Sequence, residues 1–148
     1  MLETELEFDP QYWQWGTQDR APRFLHAMIR VSDLDAALRF YTEGFGMKVL
    51  GRFDVPVRRV SAAYIGYAGY DEGGLLELTH KWDGVEIVPG SFHFAIGVPE
   101  MEATLARLES AGAEVEMAPT VLVPGGPLVA FIKDPDGYSV ELIQSRRA

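Results

Sequence analysis

The sequence predicts an α+β fold of two tandem βαβββ modules that build a curved mixed sheet. Three observations predict it. The chain repeats: "HAMIRVSDLDAALRFYTEGFGMKV" (His26 to Val49) aligns with "HFAIGVPEMEATLARLESAGAEV" (His93 to Val115). In each copy a histidine-led strand pattern gives way to a helical stripe. Three more strand patterns then follow in each half.

The first element, "RFLHAMIRV" (23–31), alternates with period two. Leu25, Ala27, Ile29 and Val31 share one face, and His26, Met28 and Arg30 share the other. Ser32 is the expected N-cap of the helix that follows, with Asp35 three residues on in a capping-box-like pair. Leu34, Ala37, Leu38 and Tyr41 form its core stripe, and Gly44 or Gly46 stops it. "MKVLGRF", "VSAAYIGY" and "GLLELTH" are the next strands. "KWDGVEIVPGS" (81–91) is a turn-rich link, too short to tether independent domains. The second module opens with "HFAIGV" (93–98). Pro99 is expected to open its helix, with Glu100 and Glu102 at the positive end, Met101, Leu105 and Leu108 inward, and Gly112 as the stop. "AEVEM", "LVAFIK" and "YSVELIQ" complete it, with "DPDG" (134–137) as the turn of a hairpin. The expected organisation is an N-terminal arm (1–22) and a single domain (23–148) of two modules, about 23–82 and 91–145.

Bulk composition narrows the function. The 148 residues carry 22 acidic and 13 basic side chains, a net charge of −9. That excludes a nucleic-acid binder relying on a basic footprint. There is no cysteine, hence no disulfide framework or thiolate chemistry. The acidic start "MLETELEFDP" lacks a signal-peptide core, and no apolar run reaches a membrane span. A cytoplasmic location without a membrane partner is the expectation.

The last strand of each module carries a carboxylate among apolar residues: Glu77 in "LLELT" and Glu141 in "SVELI". A glutamate at a strand centre is costly to bury unpaired. Glu77 follows His26 by 51 residues and Glu141 follows His93 by 48, so each module offers one His and one Glu from its first and last strands. If those strands cross one curved sheet, all four side chains converge in its trough. Two imidazoles and two carboxylates suit Ni, Co, Zn, Fe or Mn, with two water positions completing an octahedron. The competing reading pairs the glutamates with Arg30 or Lys133. It treats each residue singly and leaves the repetition unexplained. His80 alternates off the Glu77 face and has no counterpart in the second module, so it is read as a non-ligand. Arg58 and Arg59 fall in a loop or edge, where basic side chains are ordinarily solvated.

The phrases "FYTEGFGMKVL", "YIGY", "LLELTHKW", "HFAIGV" and "FIKDPDGYSVELIQ" resemble the vicinal-oxygen-chelate superfamily, and within it glyoxalase I (lactoylglutathione lyase). The resemblance covers about residues 23 to 145. It implies that His26, Glu77, His93 and Glu141 are the four metal ligands. It implies isomerisation of a 2-oxoaldehyde–glutathione hemithioacetal to a 2-hydroxyacyl thioester, the chemistry of methylglyoxal detoxification. Glu141 would be the base that shuttles the proton and Glu77 the opposing carboxylate, with the metal stabilising an enediolate. The short link between modules resembles the compact nickel- or cobalt-activated forms, with zinc, manganese or iron as alternatives. The resemblance also implies a homodimer in which each site takes two ligands from each subunit.

For the thiol, Arg30 matches the strand-one arginine that contacts its glutamyl end. Lys81 stands where the family has an asparagine. "VLVPGGP" puts Val123 and Pro124 where the family has a lysine that binds the glycyl carboxylate. The arm holds Tyr12, Trp13 and Trp15, to be buried against the body or a dimer partner, or laid over the mouth of the site. Two other readings stay open: a related metalloenzyme (isomerase, epimerase or dioxygenase), or a non-catalytic small-molecule binder. The complete ligand set weighs against the binder.

Overall fold

The computed structural model describes residues 7–8, 24–68 and 74–144. Apart from Glu7–Phe8, the arm with Tyr12, Trp13 and Trp15 lies outside the described residues. The chain divides into two compact units, Met1–Thr42 with Gly46–Ile87, and Glu43–Phe45 with Val88–Ala148. The expected mixed sheet occurs once in each.

The first unit holds β1 (Glu7–Phe8), β2 (His26–Arg30), α1 (Leu34–Arg39), β3 (Lys48–Val55), β4 (Val60–Gly66) and β5 (Leu75–Lys81). Its sheet runs β1-β3-β4-β5-β2, with β2 parallel to β5 and the other pairs antiparallel. The inward stripe of α1 is buried as its spacing predicts: Leu34, Ala37, Leu38 and, one turn on, Tyr41. They cover the sheet face that carries Ile29, Ala63, Ile65 and Leu78. The cap differs from expectation. Asp33, not Ser32, is the N-cap, with extended backbone and a carboxylate that accepts from Ala36 N–H at 2.9 Å. The helix ends in a π-helical turn, Phe40–Gly44, and Gly46 follows at φ +68°, where a Cβ would be strained.

The second unit holds β6 (His93–Gly97), α2 (Met101–Ser110), β7 (Glu114–Val121), β8 (Leu128–Lys133) and β9 (Ser139–Gln144). Its sheet runs β6-β9-β8-β7, again with the first and last strands of the module parallel. Met101, Leu105 and Leu108 are buried on α2, against a sheet face with Ile96, Ile132, Val140 and Leu142. Here too the start is corrected. Pro99 precedes the N-cap, which is Glu100 and offers no side-chain cap. The Met101 N–H instead donates to Gln144 Oε1 of β9. The strand read as "AEVEM" continues to Val121; at a sheet edge Pro119 removes no needed ladder bond.

The "DPDG" hairpin sets the register of β8 on β9. Buried Asp134 accepts from the N–H groups of Asp136 (3.0 Å) and Tyr138 (2.9 Å), and Gly137 takes φ +90°. Asp134→Ala leaves two backbone donors unpaired. We expect it to cost about 1–3 kcal/mol, read as a lower urea midpoint with unchanged m. Among the described residues no helix is long and apolar enough to cross a membrane.

Candidate functional site

Strand alternation places His26, Met28 and Arg30 of β2 on the sheet face away from α1. In the ladder Met28 pairs with Glu77, Arg30 with Thr79, and Glu77 in turn with Tyr64. Glu77 therefore stands one strand over and two residues along from His26. Its Oε2 lies 2.9 Å from His26 Nε2. In the second unit Ala95 pairs with Glu141, and Glu141 with Phe131. His93 Nε2 lies 3.1 Å from Glu141 Oε2. The two repeats thus build the same pair in the same register, in each case across the parallel first and last strands. All four side chains retain access to solvent: 28 % and 17 % for His26 and Glu77, 48 % and 19 % for His93 and Glu141.

An aromatic ring holds each imidazole. Tyr64 meets His26 edge-on with centroids 5.1 Å apart, and Phe131 meets His93 at 5.1 Å. Phe53 stacks on Tyr64 from the other side. Sequence reasoning missed both rings, although a signal existed. His26 to Tyr64 and His93 to Phe131 are each 38 residues.

The donors fit a divalent metal. Adjacent ligands of an octahedral ion, each about 2.1 Å from it, are about 3.0 Å apart. Both pairs have that spacing, and both present an imidazole nitrogen and a carboxylate oxygen. Without metal the same distance is a charge-assisted hydrogen bond. One pair supplies two protein donors, short of the three or four that such sites use. Among the described residues of a single chain, no group of three or more His, Asp or Glu gathers in one place.

His80 lies on the opposite face. Its Nδ1 is 3.3 Å from the Val31 carbonyl oxygen, which only accepts, so this nitrogen carries the proton. Arg30 and Glu77 line one cavity of about 180 Å³ in the first unit. Arg58, read from the sequence as a solvated surface charge, lines it too. Its neighbour Arg59 has φ +53° and turns the other way, to a two-pronged bond with Asp83 (2.8 and 2.7 Å). That bond holds the Asp83 carboxyl below its usual range and raises the Arg59 pKa. The contribution is therefore present at neutral pH and lost as the pH falls through the lowered value. Lys81 pairs with Val60 at the end of β5 and is exposed there.

The family described as "Glyoxalase/Bleomycin resistance protein/Dioxygenase superfamily" matches residues 23–142. A putative lactoylglutathione lyase of Brassica oleracea is 40 % identical over 88 % of this chain and 47 % of its own length. A probable lactoylglutathione lyase of Synechocystis sp. is 39 % identical over 82 % of this chain and 94 % of its own. The chain therefore spans about half the length of the plant relative and nearly all of the cyanobacterial one. Among solved structures, glyoxalase I from Zea mays superposes with TM-score 0.77 at 35 % identity, over 85 % of this chain and 46 % of that one. The trypanothione-dependent glyoxalase I of Leishmania major superposes with TM-score 0.71 at 35 % identity, over 84 % and 87 %.

Proposed function

The chain belongs to the Glyoxalase/Bleomycin resistance protein/Dioxygenase superfamily, and we propose that it is a metal-dependent lyase of the glyoxalase I type. It isomerises a 2-oxoaldehyde–thiol hemithioacetal to a 2-hydroxyacyl thioester. The observation that carries this reading is the His–Glu pair built twice, in one register, by two repeats. A fold alone would not need it. The likeness to proteins named lactoylglutathione lyase supports the reaction class.

In this reading His26, Glu77, His93 and Glu141 hold one divalent ion, with nickel or cobalt favoured over zinc, manganese or iron. The ion supplies Lewis-acid stabilisation of negative charge on the substrate oxygens. The proton is the protein's work. Glu141 removes it from the carbon that bears sulfur and returns it to the neighbouring carbonyl carbon, so the reaction is a net isomerisation with no co-reactant. Glu77 is the carboxylate on the opposite side. His93, with the Phe131 ring edge-on beside it, stands next to Glu141, its Nε2 3.1 Å from Oε2. Arg30 and Lys81 are the proposed contacts for the thiol.

Two donors per pair leave each pair incomplete, so we propose a homodimer. Each site combines His26 and Glu77 with the partner's His93 and the partner's Glu141. Residues 23–148 act in it as one domain.

The test is thioester formation from the methylglyoxal–glutathione hemithioacetal, followed by ultraviolet absorbance. Protein stripped of metal is expected to be inactive and to recover with nickel. Absence of turnover from folded protein that holds one metal per site would overturn the substrate assignment.

A further inference from the structure

A single 3-10 turn, Pro56–Arg58, joins β3 to β4, and Arg59 closes it. Val55 and Val60 pair across its base. Arg59 takes φ +53° and ψ +53°, and its N–H donates to the Pro56 carbonyl at 3.0 Å. A left-handed backbone is uphill for a residue with a Cβ, and glycine would adopt it without strain. Such a conformation persists where its surroundings over-determine it.

The exit of β5 supplies those surroundings. The Trp82 N–H donates to the Arg59 carbonyl at 3.0 Å. The Arg59 guanidinium forks onto Asp83 at 2.8 and 2.7 Å and lies 5.6 Å from the centre of the Trp82 ring. The Trp82 indole N–H donates to Ser61 Oγ at 2.8 Å, and Ser61 donates to Asp54 at 2.6 Å. Ser61 pairs with His80 and Asp54, so by alternation this chain runs over the sheet face opposite Glu77. On the Glu77 face the same turn presents Val55, Arg58 and Val60 to the cavity. The fork is mostly exposed, 59 % for Arg59 and 66 % for Asp83. An ion pair so exposed adds little to global stability, so its work is local.

This inference rests on the reaction proposed above, with the thiol beside Glu77. We propose that Arg59 and Asp83 are positioning residues for substrate binding. Their fork, on the far face of the sheet, locks the turn so that Arg58 stands at the cavity wall. Neither residue touches the substrate. Arg58 does, by pairing with a carboxylate of the thiol. The two adjacent arginines thus divide the work: one fixes the backbone, and the other meets the ligand.

The test uses the nickel-loaded protein with S-methylglutathione, an inert thioether, as the calorimetric probe. Asp83→Asn removes the charge of the fork, and Arg59→Lys keeps a charge but cannot fork. Each is expected to weaken probe binding about fivefold and to speed amide exchange at Arg59 and Trp82 about tenfold, as local opening does. Nickel stoichiometry and the urea midpoint should not move. Arg58→Ala should weaken binding by a similar factor; Arg58 is exposed, so the variant should fold. Added to Arg58→Ala, Asp83→Asn should change affinity less than about twofold, because the two act through one contact.

Unchanged affinity or unchanged exchange in Asp83→Asn would overturn the inference. So would full additivity with Arg58→Ala, an Arg59→Lys variant that binds like wild type, or wild-type protein that does not bind the probe. A marked fall in the urea midpoint would make the pair a structural brace and overturn it too. The expected pattern of binding, without turnover of the methylglyoxal–glutathione hemithioacetal by the wild type, would leave the inference standing and the reaction fallen. Turnover with an additive pattern would do the reverse.

Discussion

Glu141→Gln is expected to lower the rate of thioester formation by roughly 10²–10⁴-fold, the range set by a positioned general base. The amide keeps the size and one acceptor oxygen of the carboxylate, but it cannot take a proton at neutral pH. Glu141 sits mid-strand, with its backbone tied on both sides to β6 and β8. Its side chain is 19 % exposed and reaches His93 at 3.1 Å. The fold should survive, and the urea midpoint should move little. A Gln variant that unfolds at the wild-type midpoint and loses activity marks a chemical role. One that retains activity to within a few-fold removes Glu141 as the base.

His26→Ala and His93→Ala are expected each to weaken nickel binding by more than about 100-fold, beyond the 10–100-fold that follows loss of a supporting group. The two should fall by similar factors. That equality is the sharper half of the prediction, because the residues lie 67 positions apart in different units. If each pair bound its own ion weakly, either substitution would halve the metal content and leave the other site untouched. Titration of apo-protein with nickel separates the two patterns by stoichiometry: one ion per chain, lost on either substitution, against two ions per chain with one lost.

Both pairs were legible in the sequence because the code for them is local and repeated. Alternation fixes which face a strand residue takes, and the alignment of His26 on His93 gives the register its second witness. What could not be read depends on distance or on backbone angles. Ser32 and Asp33 are both competent caps; the extended backbone of Asp33, φ −143° and ψ 113°, decides between them. The α2 N-terminus is capped by Gln144, 43 residues from Met101, a partner that no local pattern reveals. Arg58 and Arg59 read alike as neighbouring surface charges. A single positive φ at Arg59 sends one guanidinium to Asp83 and leaves the other at the cavity. The rings of Tyr64 and Phe131 look like ordinary core residues until the ladder sets them beside Glu77 and Glu141.

The central claim is that one active centre is assembled from two copies of the same His–Glu pair, donated by two chains. Co-expression of His26→Ala with Glu141→Gln tests it most directly. Each variant alone is expected to be inactive. In a mixed dimer one site collects both lesions, and the other collects an intact His26–Glu77 pair with the partner's intact His93–Glu141 pair. Random pairing of two equal populations then predicts recovery of about a quarter of wild-type activity. If the four ligands came from one chain, every site in the mixture would carry a lesion. Activity no higher than that of the separate variants, from a mixture shown to contain mixed dimers, would contradict the account.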